Sequence, residues 1–298
     1  EAFEGSPMVD VCILKYVKGM RRETNYQTMR IASDDSLLIE SVAQQKNEVS
    51  SNLVRLRSIA NIRRGITTGA NSFFVNPPLF TQTHIVNILS SPKDFTGYTT
   101  NHCRQDKLLA IKSGDNLNEE EETYLENSAN VILKEGKPLT LKTLIDQGQP
   151  WYYITVPKTA QIVFSYIVRN NLKFVLNAEN CNVRDNFYMI SSRYDSLLLM
   201  ALLNNYYVYK QLEKLGKSYG KGLLKLQKYD IDEIKVPHPE TIPKEDKTRL
   251  IQLSEELLKS SGDCHIDAIT NLLAPYYGYK GVKEQYTELK SKRLAHHE

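Results

Sequence analysis

Hydrophobic and polar residues follow two different periods along this chain, and the change of period separates a strand-rich middle from a helical end. Short apolar runs bounded by Asn, Gly and Pro predict strands between residues 73 and 191. Apolar residues three or four positions apart predict amphipathic helices after residue 244. The pattern therefore predicts the α+β class, with strands clustered in the middle and helices late.

Individual elements follow from the same pattern. Asn118 precedes the acidic run 119–122, which is typical of a helix start because a capping side chain and negative charge both favour the positive end of the helix dipole. We interpret the acidic run itself as a solvated first turn. Strands are predicted over residues 8–17, 73–75, 83–89, 108–112, 151–156, 161–166, 172–176 and 186–191. Helices are predicted over residues 36–44, 119–134, 195–209, 244–259, 263–273 and 282–289.

Composition narrows the class of protein. The 298 residues are 41% hydrophobic and 24% charged, which is typical of a globular protein with a sizeable core. A net charge of +3 does not by itself indicate a nucleic-acid partner, so any nucleic-acid-binding surface must come from local clusters of basic residues.

The four cysteines are widely spaced, which predicts free thiols in a reducing compartment. The longest purely apolar run, 197–203, is too short to cross a bilayer, so we expect a cytoplasmic protein with no membrane partner. Because the sequence starts at Glu1, we expect it to be a piece of a longer chain.

Residues 63–71 form the segment with the clearest candidate chemistry. Two arginines lead into a turn that is bracketed by glycines and carries hydroxyl and amide side chains. Phosphates and base edges are bound by these groups and by bare backbone N–H groups. A glycine-rich turn with solvated arginines is an equally open reading. On the first reading the residues that face DNA are Arg63, Arg64, Thr67, Thr68 and Asn71.

A second basic segment lies between residues 210 and 228, where lysines recur every three or four positions. Gly216, Gly220 and Gly222 argue against one continuous helix, so we predict a helix end followed by a basic loop. The loop is either a solvated face or a set of phosphate contacts with Tyr219 available to pack on a sugar or base. Its candidate residues are Lys217, Tyr219, Lys221 and Lys225, and Arg169 and Arg184 join them from an Asn-rich region between strands.

Two short segments match functional motifs only weakly. Residues 76–79 read Asn-Pro-Pro-Leu and lack the aromatic residue that would stack on a flipped adenine, so we interpret them as a turn. Glu233 and Lys235 match the end of a metal-dependent nuclease motif, with Asp195 as a poor partner acid. We keep a metal-dependent nuclease as an alternative. No catalytic, cofactor-binding or metal-binding residue is assigned.

Three ordered blocks carry a family resemblance. The first is 64–74, the second joins 151–153 to the strands 161–164 and 186–190, and the third runs from 202–206 through the glycines to 230–237. Together they resemble the C-terminal target recognition domain of TaqI-like adenine-specific DNA methyltransferases, which also occurs in fused type II restriction-modification enzymes. The last block is similar to specificity subunits of type I restriction systems as well.

The resemblance implies a target recognition domain with a curved, mostly antiparallel sheet plus C-terminal helices. It implies the end of the methyltransferase catalytic domain and a linker over 1–48, the DNA target recognition domain over 49–240 and a helical extension over 241–298. The partners would be double-stranded DNA and a catalytic domain, supplied in cis or in trans, that uses S-adenosylmethionine. This chain would choose the DNA sequence without transferring a methyl group itself. An interaction subunit that docks a separate methyltransferase remains a further alternative.

Overall fold

The computed structural model describes residues 27–31, 37–41, 52–95, 97–134, 145–259 and 264–295. Within them the strands are β1 (Gln27–Ile31), β2 (Leu37–Ser41), β3 (Leu53–Arg55), β4 (Ala60–Arg64), β5 (Ile85–Leu89), β6 (Asp106–Leu109), β7 (Ile162–Ser165), β8 (Ile167–Val168), β9 (Phe174–Leu176), β10 (Asn182–Val183), β11 (Phe187–Ser192), β12 (Lys217–Tyr219), β13 (Leu223–Lys225) and β14 (Lys235–Pro237). The α-helices are α1 (Asn71–Phe74), α2 (Glu119–Lys134), α3 (Ser196–Leu203), α4 (Tyr206–Leu215), α5 (Lys228–Asp232), α6 (Lys244–Lys259), α7 (Cys264–Tyr277) and α8 (Val282–Ala295). The α+β class, the mostly antiparallel pairing and the C-terminal helices are confirmed.

A four-stranded antiparallel sheet in the order β4-β11-β7-β9 forms the centre of the fold. Side chains alternate across it, so Phe164, Tyr188 and Ile190 pack into the core shared with the helices. Val163 and Met189 point to the other face and pack into a second buried cluster. β4 lies at one edge of this sheet, which places the residues after Arg64 at a corner of the sheet.

The helical face is organised by α3, whose residues are apolar all round and largely buried. Asp195 caps α3, because its side chain accepts hydrogen bonds from the N–H groups of Leu197 and Leu198. The prediction of one continuous helix over 195–209 is wrong, since Asn204 and Asn205 end α3 and begin α4. The Asn204 amide pairs with both backbone polar groups of Phe174 at 3.0 Å, which ties the break to β9.

The other face carries the small sheet β10-β5-β6 together with α1 and α2. Here the ring of Phe73 stacks on Tyr124 with 4.6 Å between centroids and contacts Trp151 at 5.3 Å. The predicted strands 73–75 and 151–156 are both wrong. In the first, Phe73 and Phe74 belong to helix α1 and Val75 forms an isolated bridge to Leu108. The second is a turn with an isolated bridge from Tyr153 to Ile111. The apolar character of these two runs therefore reflects side chains that pack in a core and does not reflect a β-strand backbone.

The start of α2 confirms the predicted cap and corrects the reading of the acidic run. The Asn118 side chain accepts a hydrogen bond from the N–H of Glu121 at 3.0 Å. Glu120 accepts bonds from the backbone N–H groups of Phe80 and Thr81, and Glu121 is fully buried, 2.9 Å from Nδ1 of His84. These two carboxylates therefore connect α2 to the loop before β5, so the prediction of a solvated first turn is wrong for them.

Other elements lie at the ends of the predicted recognition domain. The predicted helix 36–44 is wrong because residues 37–41 form β2, which pairs antiparallel with β1. The predicted strand 8–17 lies outside the described residues. β3 pairs with β14, so the two ends of segment 49–240 meet, although its boundaries stay predictions. Helices α6 to α8 share one hydrophobic core with the central sheet. Throughout the described ranges, every helix is too short or too polar to cross a membrane.

Candidate nucleic-acid interface

Arg64 ends β4 with its side chain 52% exposed and its guanidinium held from two sides. Its Nε donates a hydrogen bond to the backbone oxygen of Asp185 at 2.6 Å. The guanidinium lies 5.1 Å from the ring centroid of Tyr166, and Nη2 reaches the hydroxyl of that tyrosine at 3.5 Å. Since these contacts fix its direction while half of the side chain stays open, Arg64 is preorganised to bind an external acceptor.

Arg63 points to the opposite face of the sheet because side chains alternate along β4. Its Nη2 donates to the backbone oxygen of Lys158 at 2.9 Å. Its Nε is buried without a hydrogen-bond partner. The structure therefore separates the two neighbouring arginines, and Arg63 is the less accessible of the pair.

Gly65 allows the turn after β4 to pack directly on another segment. A Cβ at this position would lie 2.2 Å from the backbone oxygen of Arg184 and 2.5 Å from that of Val183. The Gly65 N–H donates to Phe187 at 3.0 Å, and the Ile66 N–H donates to Val183 at 2.8 Å. This close approach brings Arg184 beside the turn, so two of the candidate segments meet here.

The two threonines of the turn have different environments. Thr67 is exposed, whereas Thr68 is 1% exposed. The Thr68 hydroxyl donates to Oδ1 of Asn71 at 2.8 Å and accepts from the N–H of Ala70 at 3.2 Å. Thr68 therefore shapes the turn from inside, and its burial argues against the direct DNA contact predicted for it. Asn71 stays exposed at the start of α1.

Arg184 is half-buried, and its Nε is a buried donor without a hydrogen-bond partner. It lies near Asp106, whose carboxylate also accepts a hydrogen bond from Asn76 at 3.1 Å. Burial raises the pKa of Asp106, but the Asn76 hydrogen bond and the charges of Arg104 and Arg184 outweigh it and leave the pKa below its ordinary value. The charge of Arg184 is therefore one of the groups that favour the ionised form of Asp106.

The predicted basic loop is a hairpin. Strands β12 and β13 pair antiparallel and extend onto β8, and we call residues 217–225 the basic hairpin. Lys217 lies opposite Lys225, whose Nζ is 5.5 Å from the ring centroid of Tyr219. Lys221 is exposed in the turn with a φ of 61°. Arg169, also exposed, follows β8, so one small sheet groups five of the candidate residues.

Tyr166 connects the basic hairpin to the turn after β4. Its backbone oxygen accepts a hydrogen bond from the N–H of Leu226 at 2.8 Å, directly after the hairpin. Its hydroxyl and ring contact Arg64. Tyr188, the cross-strand partner of Arg64, also reaches Leu226, with 3.3 Å from its hydroxyl to the backbone oxygen. The two basic segments are thus joined by direct contacts. Sequence reasoning missed Tyr166, whose signal was an aromatic residue at the end of a predicted strand.

Residues 37–273, about four-fifths of the chain, match the family described as type II methyltransferase M.Eco57I, C-terminal domain. The chain belongs to this family. The resemblance to the C-terminal domains of restriction-modification methyltransferases is therefore confirmed.

Relatives of this M.Eco57I-type domain come from the same class of enzymes. The type II methyltransferase M.AccI of Acinetobacter calcoaceticus is 23% identical over 291 residues, and the match covers 91% of this chain. The chain spans 54% of the length of that relative. The type IIG restriction endonuclease BpuSI shares the fold, with a TM-score of 0.52 and 15% identity over 82% of this chain and 31% of its own. The type IIL restriction-modification enzyme MmeI, solved with DNA, gives a TM-score of 0.48 and 10% identity over 91% of this chain and 42% of its own.

The nuclease alternative finds no support in the M.Eco57I-type domain. Glu233 pairs with Arg55 at 2.9 Å and with Arg57 at 3.1 Å, so its charge is already compensated. Asp195, the partner acid considered for it, is occupied in capping α3. In the described ranges, no group of three or more Asp, Glu, His or Cys side chains that could hold a metal ion is present.

Residues 76–79 form a turn in which the Asn76 amide is engaged within the protein. Asn76 has a φ of 53°, and its side-chain oxygen accepts a hydrogen bond from the N–H of Lys107 at 2.9 Å while its nitrogen donates to Asp106. Both amide groups are therefore used to hold a turn against β6. These contacts agree with the interpretation of residues 76–79 as a turn.

Proposed function

We propose that this M.Eco57I-type domain recognises the DNA sequence for an adenine-specific DNA methyltransferase of a restriction-modification system. The observation that carries the proposal is the fixed, half-exposed guanidinium of Arg64, which is joined through Tyr166 to the basic hairpin. An arginine with this geometry can bind guanine bidentately, and the lysines around it can bind phosphates.

The proposed interface is narrower than the set predicted from the sequence. Arg64, Thr67, Asn71 and Arg184 form the part that would read base edges, because they lie on or beside the turn after β4. Arg63 and Thr68 support this part from less accessible positions. The part that would bind phosphates consists of Arg169, Lys217, Tyr219, Lys221 and Lys225.

We further propose that methyl transfer belongs to another part of the parent protein, which binds S-adenosylmethionine and is supplied in cis or in trans. Adenine specificity rests on the resemblance to TaqI-like enzymes. Because the catalytic domain acts on a base that is extruded from the duplex, a second domain helps to hold the DNA in place. A cytoplasmic location fits a protein whose partner is chromosomal DNA.

Titration of labelled duplexes of varied sequence tests the proposal. We expect affinity to fall steeply with salt, because phosphate contacts release counterions. Arg64→Ala should cost about 1–3 kcal/mol on the preferred sequence, whereas Lys221→Ala should weaken all sequences alike. Arg249→Ala on α6 is a matched control, since its side chain is 53% exposed, and it should leave affinity unchanged. Binding that is absent at low salt, or equal losses for Arg64→Ala and Arg249→Ala, would overturn the proposal.

The adenine target needs a separate measurement on the full parent protein. Digestion of DNA methylated in its presence should yield N6-methyladenine. A product of methylcytosine alone would refute the choice of base while leaving DNA recognition by this domain intact.

A further inference from the structure

Arg293 on α8 is a buried arginine, 6% exposed, near the end of the described chain. It forms a two-pronged ion pair with Glu213 on α4: Nε lies 2.7 Å from one carboxylate oxygen and Nη2 lies 2.9 Å from the other. The Glu213 side chain is 1% exposed. A pair this deeply buried keeps a defined geometry, because either charge left alone would be strongly unfavourable.

The third nitrogen of the same guanidinium contacts the proposed phosphate-binding residues. Nη1 donates to the backbone oxygen of Arg169 at 3.0 Å and to the backbone oxygen of Gly222 in the turn of the basic hairpin. Arg293 therefore joins α4, the segment after β8 and the hairpin turn through one planar group. A lysine ammonium could not make these four bonds together.

The hairpin turn also lies directly against α8. Gly222 has a φ of 66°, and a Cβ there would be 2.9 Å from Cδ2 and 3.4 Å from Cα of Leu294. Two three-residue strands on a two-residue strand make a sheet too small to be rigid alone. The position of Lys221 in the turn thus depends on α8, which lies after residue 273, where the family match ends.

We propose that Arg293 is a positioning residue that holds Arg169 and Lys221 in the arrangement that binds DNA phosphates. This inference rests on the proposed DNA-binding function. In this arrangement α8 supports the basic hairpin, while Arg64 is held by contacts with Asp185 and Tyr166 that do not include Arg293.

The test is a double-mutant cycle on DNA affinity, measured by fluorescence anisotropy with one labelled duplex at fixed salt. In the wild-type background, Lys221→Ala should weaken binding about tenfold, as the loss of one phosphate contact would. Arg293→Lys keeps a charge opposite Glu213 but releases the two backbone oxygens, and it should weaken binding by a similar factor. Adding Lys221→Ala to Arg293→Lys should then cost less than about twofold, because the contact is already lost.

Arg64→Ala is the internal control, since its contacts do not involve α8. Its effect should be the same in the wild-type background and in the Arg293→Lys background. If Lys221→Ala costs the full factor in both backgrounds, the positioning role is wrong. If neither Arg64→Ala nor Lys221→Ala affects binding in the wild type, it is the DNA-binding function that fails.

Gly222→Ala perturbs the contact between the hairpin turn and α8 from the hairpin side. It provides a second test if the Arg293→Lys protein does not fold. The added methyl group presses on Leu294 and strains the turn, so it should also abolish the effect of Lys221→Ala. Thermal unfolding checks that each variant is folded. A folded Gly222→Ala protein with wild-type affinity and an unchanged Lys221→Ala effect would overturn the inference.

Discussion

Gly65→Ala tests whether the close approach of two backbone segments is needed for the part of the interface proposed to read base edges. The new Cβ would lie 2.2 Å, 2.5 Å and 2.7 Å from backbone atoms of Val183 and Arg184. Backbone atoms cannot rotate away as a flexible side chain can, so the turn must move from β10. Movement breaks the hydrogen bonds from Gly65 to Phe187 and from Ile66 to Val183, which are 3.0 Å and 2.8 Å long.

The magnitude follows from these contacts. Two backbone hydrogen bonds contribute about 1 kcal/mol each, and overpacking adds about 1–3 kcal/mol, so we expect a loss of about 3–5 kcal/mol in the free energy of unfolding. Urea denaturation followed by circular dichroism measures it. DNA affinity should fall further than for Arg64→Ala, because Arg64 and Arg184 are both displaced.

Gly97→Ala is the matched control, because a Cβ there meets no atom within 4 Å. It should change the free energy of unfolding by less than about 0.5 kcal/mol. A Gly65→Ala protein as stable as Gly97→Ala, with wild-type DNA affinity, would show that the turn does not need this approach.

Two further predictions concern stability. Asn204→Ala should lower the free energy of unfolding by about 2–4 kcal/mol, because it leaves both buried backbone groups of Phe174 without their partner, and the urea midpoint measures this; a loss below about 1 kcal/mol would contradict it. Asp106 has a pKa below its ordinary value of 3.8, so its ionised form stabilises the folded state above that value and the contribution is lost as pH falls through the folded pKa. The stability difference between wild type and Asp106→Asn should therefore shrink on acidification below about pH 4, and a difference that stays constant would refute the assignment.

The local sequence pattern predicted the elements in which the order of hydrophobic and polar residues directly reflects which side chains are buried. The helix α6 follows its periodicity because one side of it packs inward, whereas the strands β7 and β11 are continuous apolar runs because both of their faces are buried. The run 151–156 misled the same reasoning, because Trp151 and its neighbours fill a core from a turn. The break at Asn204 was hidden inside an apolar run that continues on both sides.

The sequence allowed the segments of the candidate site to be predicted, but not the contacts that bring those segments together. Gly65, Arg64 and the lysines can be recognised in the sequence by their residue type and spacing. The residues that join them do not, since Tyr166 is one aromatic residue among many in the sequence. Arg293 and Glu213 are 80 positions apart, and no local period records a contact over that distance.

The arginines near the first turn differ in how well they fit the proposed role in reading DNA. Arg55 and Arg57 are committed to Glu233, and alternation along β4 turns Arg63 to the face opposite Arg64. All three of Arg55, Arg57 and Arg64 are about half-exposed, but the ion pair of Arg64 with Asp185 is longer, at 3.9 Å, than the pairs of Arg55 and Arg57 with Glu233, at 2.9 Å and 3.1 Å. Arg64 therefore keeps more of its hydrogen-bonding capacity for an external acceptor. Discrimination at one base pair should therefore depend on Arg64, while Arg55→Ala and Arg57→Ala should leave sequence preference unchanged. A loss of preference in either of those variants would mean that the ion pairs with Glu233 open when DNA binds.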